Sequence, residues 1–238
     1  MRWITPQKAH LIHPTVTKEI MNEGNKMNSP DKETTFITIE GIEGSGKSSA
    51  LLFIQDYLTT QAKNFIVTRE PGGTQLAEAI RQLLLLPTLD EKMLGETELL
   101  LMFACRTQHI AHVILPALQA GRIVVCDRFI DATFAYQGAG RLMDISHIKM
   151  LESWLMPNLV PSLTLLLDVP TEVGLARAKH RGPQDRIERE TLEFHERVRQ
   201  GYLQRAEQEP KRFRVVDANQ PLPAVQKALH TILNEFYA

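Results

Sequence analysis

The chain has few cysteines: two among its 238 residues, Cys105 and Cys126, outside any CxxC spacing. Such scarcity excludes a disulfide scaffold and a cysteine-based zinc site. Both cysteines lie in apolar stretches, so we expect small buried side chains in a reducing compartment. None of the eight histidines falls in the spacing of a metal site, and His109 and His112 are expected on a helix surface.

The sequence also lacks an excess of charge of either sign. It has 27 Lys and Arg against 28 Asp and Glu, with a pI near 6.7, so no global positive field would attract nucleic acid or an anionic membrane. The longest apolar runs, such as 83–86 and 163–169, are too short to span a bilayer, and the first residues lack the apolar core of a secretory signal. We expect a soluble cytoplasmic protein with no nucleic-acid or membrane partner, in which any phosphate chemistry depends on locally placed cations.

Residues 1–35 are polar and are predicted to be a poorly ordered N-terminal extension to a single domain at 36–238. In that domain, short runs rich in β-branched residues alternate with helical apolar patterns, which predicts an α/β fold with a parallel sheet and right-handed crossovers. The predicted strands are 36–40, 65–69, 122–127, 163–169 and 213–218. The predicted helices are 47–58, 74–86, 96–120, 144–156, 171–181, 189–208 and 221–236.

The stretch GIEGSGKSS at 41–49 fits the phosphate-binding pattern GxxxxGK[ST]. A strand pattern precedes it and a helix pattern follows it, which is the context that a phosphate loop needs and that a plain glycine turn does not. Backbone N–H groups would bind phosphate oxygens, Lys47 would neutralise the outer phosphates, and Ser48 would ligate Mg²⁺. The predicted ATP contacts in the loop are Gly41, Ile42, Glu43, Gly44, Ser45, Gly46, Lys47, Ser48 and Ser49.

The chain contains no NKxD motif and no separate strand ending in DE, which argues against a GTPase switch and a motor-type ATPase. Predicted strands end instead in TREPGG, CDRF and LDVP, at the edge where open parallel sheets bind ligands. Arg69 and Arg128 are expected to hold a second phosphate, and Asp127 to organise Mg²⁺ directly or through water. The alternatives are a structural Asp127–Arg128 ion pair and a helix-capping role for Asp168.

Several longer motifs, in order and spacing, make the sequence resemble the thymidylate kinase family. They are FITIEGIEGSGKSS, TREPGGTQLAE, CDRF, TFAYQGAGR, LLLDVP, GLARA, DRIERE, FHERVRQGYL and VVDANQP, and they cover about residues 36–236. The resemblance implies a P-loop fold with a five-stranded parallel sheet flanked by helices on both faces. It also implies phosphorylation of thymidine 5′-monophosphate with ATP and Mg²⁺, and a homodimer formed through the long helix at 96–120.

The resemblance further implies roles for single residues at the acceptor. Phe103 would stack on thymine, and Arg106 would donate a hydrogen bond to a thymine carbonyl. Thr133 and Gln137 would line the pyrimidine pocket. Family members commonly place the stacking Phe four residues before the Arg, and in this chain the spacing is three. Met102 occupies the four-residue position, so either side chain could cover the base, and Phe103 could be a core aromatic.

On the donor side, Arg177 would flank adenine, and the basic stretch 177–190 resembles the lid that closes on ATP. Some relatives carry an arginine directly after the loop acid, where this chain has Gly44. The catalytic arginine is therefore expected in the lid, as Arg181 or Arg186, then Arg189. Glu43 would accept a hydrogen bond from the 3′-hydroxyl of the acceptor. The alternatives are a kinase for another pyrimidine nucleotide or a deoxynucleoside, and a non-catalytic nucleotide-binding switch.

Overall fold

The computed structural model describes residues 34–87, 91–180 and 184–238, which build a parallel five-stranded sheet of order β2-β3-β1-β4-β5. The strands are β1 (Phe36–Glu40), β2 (Phe65–Arg69), β3 (Ile123–Asp127), β4 (Leu163–Asp168) and β5 (Phe213–Asp217). The helices are α1 (Lys47–Thr60), α2 (Gln75–Leu85), α3 (Gly95–His109), α4 (Leu115–Gln119), α5 (Ile130–Thr133), α6 (Ile145–Leu155), α7 (Thr171–Lys179), α8 (Leu192–Gln208) and α9 (Leu222–Tyr237).

Both faces of the sheet are covered by helices, as the apolar strands require. In β1 the side chain of Phe36 belongs to one hydrophobic cluster and that of Ile37 to another, and Val124 and Val125 of β3 divide in the same way. Successive side chains of a strand point to opposite faces, so the sheet has a core on each side. The predicted fold class is thereby confirmed, and the parallel register brings the ends of β1 and β3 together, with Ile39 opposite Asp127.

Helix ends agree with the sequence pattern within a few residues where a cap defines them. Thr74, Asp144 and Thr191 each accept a hydrogen bond from a backbone N–H of the first turn of α2, α6 and α8, as N-caps do. Three features were not predicted: helix α5 and two π-helical segments. A π-helical segment, Ile110–Ile114, joins α3 to α4, and α5 continues into a second one, Phe134–Gly140.

Several early expectations can be compared directly with the structure. Cys105 and Cys126 are free and buried, as predicted. The surface position predicted for His109 is wrong: its side chain is fully buried, with Nδ1 3.0 Å from Glu70 and Nε2 2.6 Å from Thr68. Residues 1–33 of the predicted extension at 1–35, and the predicted lid residue Arg181, lie outside the described residues, so those predictions remain predictions.

Among the described residues, one helical segment, Gly95–Gln119, is long and apolar enough to cross a membrane by length and composition alone. The core helix of a soluble protein meets the same criterion. This segment contributes Leu99, Phe103, Ile110 and Ile114 to the core on one face of the sheet. Packing inside the domain therefore accounts for part of its apolar character.

Candidate active site

The glycine-rich loop turns sharply between β1 and α1. Gly41, Gly44 and Gly46 have φ values of 138°, 70° and 96°, in the region that favours glycine. Lys47, the first residue of α1, folds back over the loop, and its ammonium donates to the carbonyl oxygens of Gly41 at 3.0 Å and Ile42 at 2.9 Å. The loop therefore has the backbone form of a phosphate cradle with its lysine already in place.

A cavity of about 430 Å³ opens at the carboxyl ends of the strands, beside this loop. Its volume is that of a small-molecule site. It is lined by most of the site residues predicted from the sequence: Glu43, Gly44, Gly46, Lys47, Ser48, Ser49, Arg69, Asp127, Arg128, Gln137, Arg177 and Arg186. The loop residues Gly41, Ile42 and Ser45 do not line it and are buried.

Arg128 and Glu43 form an ion pair at the wall of the cavity. The Arg128 guanidinium donates to Glu43 at 2.9 Å and to the Tyr202 hydroxyl at 3.1 Å, and it lies 4.7 Å from the centre of the Tyr136 ring. Tyr136 also donates its hydroxyl proton to Glu43 at 2.6 Å. Arg128 thus pairs with Glu43, and the structural Asp127–Arg128 ion pair considered from the sequence is not the pairing found.

The backbone of Arg128 has a φ of 69°, which a non-glycine residue seldom adopts. Neighbouring groups hold it there. The backbone N–H of Arg128 donates to the carbonyl oxygen of Ile39 at 3.0 Å, and the backbone N–H of Phe129 donates to the Glu40 side chain at 2.7 Å. Glu40 also accepts the Tyr202 hydroxyl at 2.8 Å. These contacts direct the Arg128 side chain into the cavity, and sequence reasoning missed Glu40, whose only signal was its place at a strand end.

The charges of this site interact strongly because they are buried together. Burial alone would raise the pKa of Glu43, but Arg128, His195 and Lys47 outweigh it and hold that pKa well below its ordinary value. Burial, and then the charge of Arg128, lower the pKa of Lys47 to about 8. Burial, and then the charge of Asp131, raise the pKa of Glu40 to about 8. At neutral pH Glu43 is therefore ionised, and Lys47 and Glu40 titrate close to the working range.

Three residues predicted at the pyrimidine pocket do not line the cavity: Phe103, Arg106 and Thr133. Phe103 is 2% exposed and packs in the core beside Arg106, whose guanidinium lies 5.2 Å from its ring. Arg106 is buried too, donating to Glu70, Thr133 and the backbone of Phe129. In place of Phe103, the cavity wall contains Met102. The stacking role predicted for Phe103 is not supported by this geometry, because the ring faces the core.

The remaining cations of the cavity each have a protein partner. Arg69 donates to both carboxylate oxygens of Glu78, and Arg177 donates to the backbone oxygen of Ala218 at 3.0 Å. In the predicted lid segment, 177–190, Arg186 donates to the backbone carbonyl of Leu84 at 2.9 Å. Arg69 is 53% exposed, so the anion-binding role predicted for it would require little desolvation.

The family model for thymidylate kinase matches residues 39–229 of this chain. The chain belongs to the thymidylate kinase family. Among curated relatives, the thymidylate kinase of Pseudomonas entomophila is 55% identical over 83% of this chain and 94% of its own length. That of Alcanivorax borkumensis is 54% identical over 85% of this chain and 97% of its own length.

A solved thymidylate kinase structure, from Ehrlichia chaffeensis, has the same fold. It is 31% identical in sequence, has a TM-score of 0.68, and aligns over 86% of this chain and 99% of that one. The phosphate loop, the residues that line the cavity and the predicted lid segment all fall inside the region that the family model matches, residues 39–229.

The oxygen atoms that a divalent cation needs are present beside the loop. Asp127 lines the cavity, and its Oδ1 is buried without a hydrogen-bond partner among the described residues; Ser48 is exposed on the first turn of α1. No group of three or more His, Cys, Asp or Glu residues in the described part of the chain could hold a metal ion by itself. This combination fits Mg²⁺, which binds through one or two protein oxygens together with substrate phosphates and water.

Proposed function

We propose that the chain transfers the γ-phosphate of ATP to thymidine 5′-monophosphate, producing thymidine 5′-diphosphate and ADP. One observation carries the proposal beyond family membership: a single cavity joins the phosphate loop to a second set of cations, Arg69 and Arg128. Two phosphate-bearing molecules can therefore meet in one site. A nucleotide switch binds one nucleotide and does not need a second set of cations.

On the donor side, the loop N–H groups, Lys47 and Ser48 hold the triphosphate. A smaller cavity of about 260 Å³ continues from the loop to α9, with Arg177 and Gln220 in its wall, and takes the adenine. Ser48 and Asp127 would hold Mg²⁺, which neutralises phosphate charge when it is bound. The phosphates of the donor would then lie at the N-terminus of α1, where a negative charge is stabilised.

On the acceptor side, Arg128 and Arg69 hold the monophosphate, and the base enters between Met102 and Gln137. Gln137 lines the cavity, and its Oε1 is buried without a hydrogen-bond partner among the described residues. Glu43 Oε2 is buried as well, and His195 Nδ1 lies 3.4 Å from it. These oxygens are acceptors for the ring N–H of thymine and for the 3′-hydroxyl of the sugar, respectively.

The transfer itself needs alignment and charge more than proton chemistry. An oxygen of the acceptor phosphate attacks the γ-phosphorus, the new P–O bond forms as the bond to the β-phosphate oxygen breaks, and ADP leaves with that electron pair. No general base is required, because the second pKa of a phosphate monoester is about 6 and the attacking oxygen is already ionised. Lys47 and Arg128 offset the charge that spreads over the transferring group.

We assign the remaining catalytic cation to the lid. A side chain at position 44 would meet the backbone of α7, which leaves no room for an arginine in the loop. Arg186, by contrast, lines the cavity. Arg181, the other predicted candidate, lies outside the described residues. Closure of the lid would also exclude water, which competes with the acceptor for ATP.

We also propose a cytoplasmic homodimer that pairs through the face of α3. In support, Leu100 of this helix is 58% exposed, and Leu94, the N-cap residue just before it, is 65% exposed. Sedimentation of the purified chain, compared with that of a Leu100→Glu variant, tests the assembly. A wild-type chain that sediments as a monomer at micromolar concentration refutes it.

The catalytic proposal is tested by coupled measurement of ADP release with a panel of nucleoside monophosphates. We expect rapid turnover with thymidylate and little with uridylate or cytidylate. Lys47→Ala should abolish turnover while circular dichroism stays native. Lys149→Ala, the same substitution at an exposed position of α6, is the control and should behave as the wild type. Nucleotide binding without acceptor-dependent turnover would establish a binding module instead.

A further inference from the structure

Glu98 is a buried carboxylate that the sequence did not single out. It lies in the first turn of α3 and is 2% exposed. Its Oε1 accepts hydrogen bonds from Gln137 Nε2 at 2.7 Å and from Arg141 Nε at 3.2 Å. Its Oε2 accepts from Arg141 at 3.1 Å and lies 2.7 Å from the guanidinium of Arg186 in the lid.

These partners keep Glu98 ionised. Burial alone would raise its pKa, but the hydrogen bonds and charge of Arg141, with further help from Gln137 and Arg186, bring the pKa below its ordinary value. An ionised carboxylate can only accept hydrogen bonds. The NH₂ end of the Gln137 amide must therefore point toward Glu98, and the oxygen end must point away from it.

The orientation of Gln137 has a chemical consequence at the cavity. Gln137 lines it, and the amide end away from Glu98 is Oε1, which is buried and has no hydrogen-bond partner among the described residues. A buried acceptor without a partner disfavours any ligand that does not bring a donor. The ring nitrogen N3 carries a hydrogen in thymine and uracil, but it carries a lone pair in cytosine.

We propose that Glu98 is a specificity-determining residue: by fixing the Gln137 amide, it makes the acceptor pocket select pyrimidines with a ring N–H and reject cytosine. This inference rests on the proposed function and deepens it. Glu98 also lines the cavity, but both of its oxygens are already engaged by Gln137, Arg141 and Arg186, so we assign it the part of a positioning residue. The other role open to it, holding Arg186 and thus the lid, would affect every acceptor equally.

The test is the ratio of kcat/KM for thymidylate to kcat/KM for deoxycytidylate in Glu98→Gln. The new amide would place its oxygen where Oε2 meets two arginines and its NH₂ toward Gln137. The reverse placement opposes two arginine donors, whereas this one opposes only Arg141 Nε once the Gln137 amide has turned. Gln137 can then turn and offer its own NH₂ to the cytosine N3. We expect the ratio to fall about tenfold or more, the size of one buried unpaired acceptor. An unchanged ratio, whatever happens to the absolute rates, overturns the proposal.

Arg141→Lys is the matched control. It alters the same ion cluster while leaving the carboxylate opposite Gln137, so the ratio should remain that of the wild type. A fall as large as that of Glu98→Gln would indicate general disruption and also refute the proposal. If Glu98→Gln does not fold, Glu98→Asp keeps the charge but ends one methylene short of Gln137, and the ratio should again fall.

The two proposals fail in different ways. A wild-type chain that does not phosphorylate thymidylate refutes the proposed function. A wild-type chain that does so and discriminates against deoxycytidylate, with the same ratio in both Glu98 variants, refutes only the role of Glu98. A double variant adds a further check: in a Gln137→Leu background, Glu98→Gln should leave the ratio unchanged, and a further fall would contradict the coupling of the two residues.

Discussion

Gly44 in the phosphate loop lies directly against Gly174 of α7. A Cβ added to Gly44 would lie 1.9 Å from the carbonyl oxygen of Gly174, and one added to Gly174 would lie 2.7 Å from the carbonyl oxygen of Glu43. Both distances are shorter than any real Cβ contact. The loop and the helix therefore touch backbone to backbone, and the position of the phosphate cradle depends on both residues being glycine.

Gly44→Ala should therefore destabilise the protein more than Gly46→Ala. Both glycines have positive φ, so both variants carry backbone strain, but a Cβ at Gly46 meets nothing within 4 Å. The difference between them isolates the collision with α7. We expect Gly44→Ala to lose more than about 1 kcal/mol beyond the loss of Gly46→Ala, measured as free energy of unfolding in urea. Equal losses would show that α7 moves aside freely.

Lys47 should make ATP affinity depend on pH just above neutrality. Its pKa in the free protein is lowered to about 8, with burial as the main cause, and only the protonated form attracts phosphate. The dissociation constant for ATP should therefore rise as pH increases from 7 to 9. Lys47→Arg stays charged over this range and should show a flatter profile, which calorimetric titration at each pH would reveal. Parallel profiles in the two proteins would assign the pH dependence to another group.

The fold and half of the site were predictable because they depend on local pattern. Strands such as 36–40 are indicated by their β-branched residues. The loop is indicated by the fixed spacing of its glycines and Lys47. The carboxyl ends of parallel strands share one edge, so the meeting of Arg69, Asp127 and Arg128 with the loop followed from topology alone.

Other features depend on contacts between residues distant in sequence, which no local pattern encodes. Glu98 and Gln137 meet across 39 positions, and Glu40 and Tyr202 across 162. The sequence also could not predict where the Phe103 side chain points. A residue three positions before Arg106 and a residue four positions before it lie on the same helix face. Only packing decides that the ring enters the core.

Glu40 should make the stability of the protein fall as pH rises toward 8. Burial raises its folded pKa from 4.5 to about 8. The folded state therefore holds a proton that the unfolded state releases, and the resulting stabilisation is full below about 4.5 and is lost as pH rises through about 8. Glu40→Gln cannot titrate. The free energy of unfolding of the wild type minus that of the variant should decrease across this range, and a constant difference would contradict the assignment.

Glu43 should matter more for an acceptor that has a 3′-hydroxyl. Its Oε1 accepts from Arg128 and Tyr136, while Oε2 is buried and lies 3.4 Å from His195 Nδ1. Glu43→Gln weakens both the pairing with Arg128 and the acceptor contact. The loss in kcat/KM should be about fivefold larger for thymidylate than for its 3′-deoxy analogue, as expected when a hydrogen bond to a charged acceptor becomes one to a neutral acceptor. Equal losses would mean that Glu43 acts only through Arg128.

Met102 and Phe103 are adjacent in sequence but should respond oppositely to truncation. Phe103 is almost fully buried and packs in the core, so Phe103→Ala should cost about 3–5 kcal/mol of unfolding free energy. Met102 lines the cavity, so Met102→Ala should raise the KM for thymidylate with a smaller loss of stability. Measuring both quantities in both variants makes each the control for the other. A KM effect confined to Phe103→Ala would require the ring to leave the core and cover the base when the acceptor binds.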